Sequence, residues 1–326
     1  MADGLIEEAE ALLTLVLTPG IGRVTVHALL DACQRTDRLL IEVLRQVATR
    51  NPIEPKGQFP EFYGLMAKWK PELQRRASYL IKKTLNCGAE VLPVRHPDYP
   101  ARLRVELGKH APLLLFCFGN RSLLGRKSVA VVGKTNPTTI GRKTVDRLCR
   151  ILVEEKAVII SGGADGVDSM AHQATLKAGE STVMVLPQGI LRYGISEFYR
   201  PYLESGSLLI LSEFAPDARW ETYAAVTRND TIAALSNMVC VVEPGRVQGS
   251  VRTAQRALGH RKPVLVFSTE TDDGMAELLF RRGGIRMSSA FSADDVDILK
   301  QSWQTASDSN DAEPAERFLF DPNDSV

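Results

Sequence analysis

The strongest constraint on this chain's fold lies between Ala157 and Ser268 and the run just before it, where short β-branched segments recur. They are SVAVVG from Ser128, AVIISGG from Ala157, STVMVLPQG from Ser181, SLLILSEF from Ser207, NMVCVVEPG from Asn237 and KPVLVFS from Lys262. Each is apolar nearly throughout and too short for a helix, so the strand it predicts needs cover on both faces. Between several of them lie segments with helical apolar spacing: TIGRKTVDRLCRILVEEK, the stretch from about Asp165 to Ala178, and VQGSVRTAQRALG. Strands and helices in alternation predict an α/β fold built on a doubly wound parallel sheet. In such a sheet ligands bind outside the carboxyl ends of the strands, and three of these strands run into glycine-bearing loops there.

Before Ser128 the grammar is different. Residues 5–17, LIEEAEALLTLVL, have helical spacing and run into TPGIGRVTVHALLDAC, a Pro-Gly turn followed by a second amphipathic segment. Gly20 and Gly22 around Ile21 fit a helix-hairpin-helix whose backbone N–H groups contact a phosphate, and equally a packed helical pair. Residues 51–60 read as a connector, more helix follows with a break near Pro71, and Gly88 closes it. The expected organisation is an all-helical N-terminal domain over 1–88, an α/β domain over 89–300 and an acidic tail over 301–326. VLPVRHPDYPARL, extended and turn-rich, and PLLLFCFGN, a short buried strand, lead into the α/β region.

Charge narrows the partners only locally. Forty Lys and Arg against 39 Asp and Glu leave a formal net charge of +1, so any basic surface must be a patch. Two stretches qualify: Arg121 to Arg150, with Arg126, Lys127, Lys134, Arg142, Lys143 and Arg147, and Arg246 to Lys262, with Arg252, Arg256 and Arg261. The five cysteines, Cys33, Cys87, Cys117, Cys149 and Cys240, form no CxxC and have no histidine at ligand spacing. Buried reduced thiols in a cytoplasmic protein are expected, with neither a metal site nor a cofactor. The N-terminus carries acids rather than a basic leader, and no apolar run approaches a membrane span.

The loops after the strands supply the candidate site. Gly133 lets the backbone approach a phosphate, Lys134 offers a point charge, and Thr135 a hydroxyl. In SGGADGVDSMAH, Ser161 precedes Gly162 and Gly163, whose N–H groups fit an anion nest, while Asp165 is placed to cap the next helix. Asp168 and His172, four apart on one helical face, fit a general-base pair or half a metal site, but no nucleophile or third ligand accompanies them. They are therefore expected to orient the helix. TRND sets Arg228 and Asn229 just before a further helix, and Gly249, Ser250 and Thr253 stand at the start of the last one. Trp220, Tyr223, Tyr193 and Tyr199 are the aromatics placed to stack on unpaired bases.

The order of these pieces resembles the DNA-processing protein A family, also called DprA or Smf. SGGADGVDSMAH, VLPQG, SEF, TRNDTIAALS, VVE and GSVRTAQRALGHRKPV succeed one another within about residues 90–267, after a TPGIG turn in the helical region. The resemblance implies an extended Rossmann-like domain and a non-enzymatic, homodimeric protein that binds single-stranded DNA. It implies action in DNA processing, uptake or recombination during natural transformation, with the strand passed to the RecA recombinase. On this carry-over, the phosphate contacts are Gly133, Lys134, Thr135, Ser161, Gly162, Gly163, Arg228, Asn229, Gly249, Ser250 and Thr253. The chain also departs from the family. Lys134 stands where an arginine is usual, Asp230 where a second arginine is common, KPVLVFSTE lacks the AVPG ending, and no winged helix follows.

Two other readings share the fold. One is a nucleotide-binding sensor, as in phage defence; the other is a nucleotide hydrolase, whose PGGxGTxxE glutamate has no counterpart in SGGADGVDS. A passive scaffold for protein partners is the third.

Overall fold

A computed structural model of the chain describes residues 2–48, 68, 70–245, 249–268, 274–288 and 291–308. It opens with three helices, α1 (Ala2–Leu17), α2 (Arg23–Arg35) and α3 (Leu40–Ala48), and a fourth, α4 (Pro71–Asn86). α1 stops at the TPGIG turn, where Gly20 takes φ +73°. Pro71 starts α4 rather than breaking it, because a first-turn residue has no intrahelical N–H bond to lose. Gly88, at φ +82°, ends α4: its N–H donates to Leu85 and that of Ala89 to Thr84, a Schellman closure. The connector expected over 51–60 lies outside the described residues.

The remainder forms one sheet. Its elements are β1 (Glu90–Pro93), α5 (Ala101–Leu107), β2 (Leu114–Gly119), β3 (Ser128–Gly133), α6 (Thr139–Glu154), β4 (Val158–Ser161), α7 (Val167–Lys177), β5 (Thr182–Leu186), α8 (Arg200–Glu204), β6 (Leu208–Ser212), α9 (Thr222–Leu235), β7 (Met238–Val242), α10 (Gly249–Gly259), β8 (Val264–Phe267), α11 (Met275–Arg281), β9 (Ile285–Met287) and α12 (Ala293–Asp308). The order across the sheet is β1-β2-β6-β5-β4-β3-β7-β8-β9. All neighbours from β6 to β9 are parallel; β1 and β2 extend that sheet as an antiparallel pair. The fold is thus the doubly wound, Rossmann-like α/β sheet, with an antiparallel edge that the strand pattern did not specify.

Alternation along each strand divides the core between the two faces. Val129 and Val131 of β3 pack with Met238, Cys240 and Val242 of β7 under α6, α7 and α12. Ala130 and Val132 point the other way, with Val239 and Val241, toward α9, α10 and the N-terminal helices. Burial pushes the Cys117 and Cys149 thiols up to about 12, whereas Cys87 is exposed.

The chain after Lys300 departs from expectation. Residues 301–308 are the last two turns of α12, and Trp303 and Ala306 are buried in the α6–α12 layer beside the stacked Phe267 and Phe291 rings. Leu299, Trp303 and Ala306 repeat at helical spacing, a short stripe set among the polar residues Gln301, Ser302, Gln304 and Thr305. Asn237 at the start of β7 anchors it, its Nδ2 donating to the Ala306 carbonyl at 3.2 Å. The rest of the expected tail, 309–326, lies outside the described residues.

Candidate nucleic-acid interface

Winding runs from β3 through β4 and β5 to β6 on one side, then returns to β7 on the other side of β3. The switch point therefore falls between β3 and β7, and a crevice opens where their loops part. Gly133 closes β3 there, but its lack of a side chain serves packing: a Cβ would stand 2.0 Å from the Val242 carbonyl oxygen and 2.8 Å from Val167 Cγ2. Lys134 follows, half-exposed, its ammonium in no ion pair with any described residue. Thr135 beside it is exposed.

The helix N-terminus nearest this loop is already filled. Glu243, the first residue beyond β7, takes φ +51° and turns its carboxylate onto α6. It accepts from the Thr138 N–H at 2.8 Å and from the Thr138 hydroxyl, which also caps α6 by accepting from the Gly141 N–H at 3.1 Å. A Cβ on Gly141 would come within 2.6 Å of that carboxylate. An internal anion thus holds the place where a phosphate would complement the α6 dipole.

The SGGADG loop is satisfied internally as well. Ser161 is buried and donates to the Val131 carbonyl at 2.6 Å. Burial raises the Asp168 carboxyl, while the Arg228 guanidinium and the nearby Ala164 and Gly162 backbone N–H groups pull it back down. Gly163, at φ +72°, is exposed. Gly166, at φ +80°, is the N-cap of α7, so Asp165 does not cap it. A Cβ on Gly166 would meet the Lys134 and Thr135 carbonyl oxygens at 2.5 and 2.3 Å, which locks this loop against the first.

Arg228 is the main correction. It lies two turns inside α9, not ahead of a helix, and is 6% exposed. Its Nη1 donates to the Val185 carbonyl at 3.2 Å and stands 3.8 Å from Asp168 Oδ2. A Cβ on Gly162 would fall 1.2 Å from that same Nη1. Arg228 is a strut beneath the loop, and Gly162 is small because the guanidinium fills the space. Threonine, asparagine and aspartate are poor helix formers, which hid the first turns of α9 from pattern. Here three of them pair with other elements, Arg228 with β5 and α7, Asp230 with Arg252 and Thr231 with Glu213, while Asn229 lies beside Gly249.

Asp168 and His172 do not bond each other. The Thr182 hydroxyl donates to the Ile159 carbonyl at 2.7 Å and so accepts from His172 Nδ1, also at 2.7 Å. Burial, with Arg228 nearby, lowers the imidazole to about 3, so it is neutral at physiological pH. Both residues position α7. Among the described residues no group of three or more His, Cys, Asp or Glu side chains is placed to hold a metal.

Beyond β7 the second side of the crevice is formed by the start of α10, and residues 246–248 ahead of it lie outside the described residues. Asn229 reaches the start of α10, its Nδ2 3.4 Å from where a Cβ on Gly249 would stand. Ser250 is buried, and its Oγ has no hydrogen-bond partner among the described residues. Lys134 flanks the same loop: its Cγ is 4.0 Å from a Cβ built on Gly245. Thr253 is fully buried and donates to the Gly249 carbonyl at 3.2 Å, so it serves the helix. The structure thus sets Asn229, Gly249 and Ser250 at the α10 terminus, with Lys134 against Gly245 ahead of it, and Ser161, Gly162, Arg228 and Thr253 into the supports.

Much of the expected basic patch is paired. Arg121 binds Glu90 and Asp98, Arg150 binds Asp146, and Lys262 binds Glu106 at 2.7 Å, its ammonium lowered by burial to about 8. Arg252 binds Asp230 through Nε at 3.0 Å and Nη2 at 2.7 Å. Arg246 lies outside the described residues. Arg142, Lys143 and Arg147 are exposed on α6, Arg142 donating to Asn136 Oδ1 at 3.4 Å and Arg147 lying over the Phe291 ring. Of the aromatics, Trp220 and Tyr223 are exposed, while Tyr199 is buried and packs edge-on against Phe198.

Glu243 and Glu213 carry more of this architecture than pattern reading assigned them. Their one signal is a charge directly ending a buried strand, VVE and LSE. The TPGIG turn acts through the second. It presents Arg23, the first residue of α2, whose Nη2 lies 3.2 Å from Glu213 Oε2 while Nη1 donates to the His110 carbonyl at 3.1 Å. The helical pair is therefore packed onto the sheet edge.

An open, doubly wound sheet with hydrogen-bond donors at its switch point defines a Rossmann-like ligand-binding protein. The sequence model of the family described as DNA recombination-mediator protein A matches residues 90–283, and the chain belongs to that family of DNA-processing proteins. The DNA processing protein DprA of Bacillus subtilis is 29% identical over 229 residues, covering 67% of this chain and 71% of that one. That of Streptococcus pneumoniae is 33% identical over 169 residues, 51% of this chain and 59% of the relative. The X-ray structure of DprA from S. pneumoniae superposes with a TM-score of 0.59 at 26% identity, covering 79% of this chain and 91% of that one. DNA processing protein A from Helicobacter pylori, solved to reveal its single-stranded DNA binding mode, gives a TM-score of 0.54 at 25% identity over 68% and 96%. No described helix is long and apolar enough to cross a membrane.

Proposed function

We propose that this protein binds single-stranded DNA, without cleaving it, at the β3/β7 switch point, with one backbone phosphate held at the N-terminus of α10. The observation that carries the reading is a buried Ser250 Oγ with no partner among the described residues at the start of α10, beside Asn229, with Lys134 against Gly245 of the preceding loop. Backbone N–H groups, a hydroxyl and a lysine charge suit a phosphate and read no base edge. Glu243 disqualifies the neighbouring α6 terminus, so the strand is directed across α10. The described binding mode of the H. pylori relative supports DNA as the ligand, and the family's description as a recombination mediator supports handover of the strand to a RecA-type recombinase.

The test is a gel-shift series with single- and double-stranded oligonucleotides across salt. Single-stranded binding should weaken with salt, and Lys134→Ala should reduce the slope of log K against log salt by about 0.7. Ser250→Ala should lower affinity at least about tenfold, the lower end of what one hydrogen bond to a charged phosphate is worth. Undiminished binding in a Lys134→Ala/Ser250→Ala double variant would move the site elsewhere.

A further inference from the structure

A second concave feature adjoins this site. Between the α1–α2 turn and the outer face of α9 and α10 lies a cleft of about 660 Å³, within the size range of small-ligand pockets. Leu17, Ile21 and Phe214 give it apolar walls, and Tyr223, 68% exposed, stands among its lining residues. Glu213 lines it with a side chain that is 0% exposed. One carboxylate oxygen, Oε2, accepts from Thr231 at 2.8 Å and pairs with Arg23 at 3.2 Å; the other, Oε1, is buried with no partner among the described residues. Arg256, also lining the cleft, has a buried Nε in the same condition.

We infer that this cleft is a base subsite, taking one nucleobase that carries an exocyclic amine, as cytosine does. The inference rests on the DNA reading above and names what the protein does with a base of the strand. A buried carboxylate oxygen left unpaired costs free energy, and an N–H donor from a ligand repairs it once the side chains covering the oxygen shift to admit the donor. Cytosine N4–H₂ is such a donor. Thymine offers only an imide N–H flanked by two carbonyl oxygens, whose lone pairs face the carboxylate. Apolar walls and the Tyr223 ring suit a planar ring, and Arg256 suits the phosphate that accompanies it.

Placement favours the strand as the source. Asn229, at the phosphate site, is followed in sequence by Asp230 and Thr231, which line the cleft. Arg252, in the cleft wall, lies three residues beyond Gly249 on α10, less than one 5.4 Å turn. A strand crossing the α10 terminus therefore passes the mouth of the cleft. A base entering it would also contact Ile21 and Arg23 beside the TPGIG turn, coupling the N-terminal helices to DNA.

The experiment uses the full chain and fluorescence anisotropy with dC20 and dT20, and calorimetry with dCMP and dTMP. The wild type should prefer dC20 to dT20 roughly tenfold, the worth of a hydrogen bond to a charged acceptor. Ala218→Trp, which fills the cleft, should abolish the preference while leaving the salt dependence of binding intact. Glu213→Gln, which adds an amide donor for thymine O4, should reduce or invert it, with folding checked by circular dichroism because Arg23 loses its charged partner. Equal binding of dC20 and dT20 overturns the base subsite and leaves the DNA reading standing, as does a preference that survives Ala218→Trp. Preferential binding of dCMP over dTMP with no oligonucleotide binding supports the subsite and overturns the DNA reading. Absence of binding to all four probes overturns both.

Discussion

Substituting Gly162 by alanine tests whether Arg228 is a strut or a ligand contact. The new methyl would fall 1.2 Å from Nη1, so the guanidinium has to leave its place. It would give up the bond to the Val185 carbonyl and the charge pairing to Asp168, and Arg228 is 6% exposed, with little room to move. A charge-assisted hydrogen bond is worth about 1.5–3 kcal/mol, and removing one partner of a buried pair costs about 3–5 kcal/mol in all. At roughly 2–4 °C per kcal/mol for domains of this order, the loss in Tm is about 6–20 °C. Arg228→Ala should cost a similar amount. The double variant should be at least about 1 kcal/mol more stable than the sum of the two, because the methyl then occupies space the guanidinium has vacated. Urea denaturation of the four proteins, followed by circular dichroism, measures this cycle. If Arg228→Ala kept wild-type stability and lost single-stranded DNA binding tenfold, the strut assignment would be wrong and Arg228 would belong to the ligand.

His172 sets a pH dependence. Its folded-state pKa, about 3, lies below the ordinary value of 6.5, so the unfolded chain takes up the proton first and stability falls as pH drops from about 6.5 toward 3. That loss proceeds at up to ~1.4 kcal/mol per pH unit, and His172→Gln should flatten it in acid denaturation curves; equal curves would refute the assignment. Trp303→Ala should destabilise the protein by about 3–5 kcal/mol, since the indole is buried in the α6–α12 layer, whereas an appended tail would tolerate it within about 0.5 kcal/mol. Asp230→Ala releases Arg252 from its two-bond pair and should raise DNA affinity and steepen its salt dependence by about 0.7 in log–log slope, readable in the same gel-shift series.

Local pattern was a reliable guide where the physics is local. The apolar runs from Ser128 onward could only be two-sided strands, and several of the segments between them helices, so the doubly wound sheet followed. Gly88 was legible as a helix stop because a positive φ is a one-residue demand. The α12 stripe was missed because three apolar positions in a polar stretch carry little periodic signal.

What the sequence determined by itself, then, is the alternation, the carboxyl edge of the strands where a ligand is expected and the set of polar residues delivered to it. Which of those residues remain available to a ligand was decided only by the tertiary structure. Glu243 reaches Thr138 across 105 positions because β7 lies beside β3, and Arg228 meets Gly162 because α9 crosses the ends of β4 and β5. A donor's role depends on whether an internal acceptor has already claimed it. That acceptor is supplied by a distant part of the chain, through strand order that no local spacing encodes.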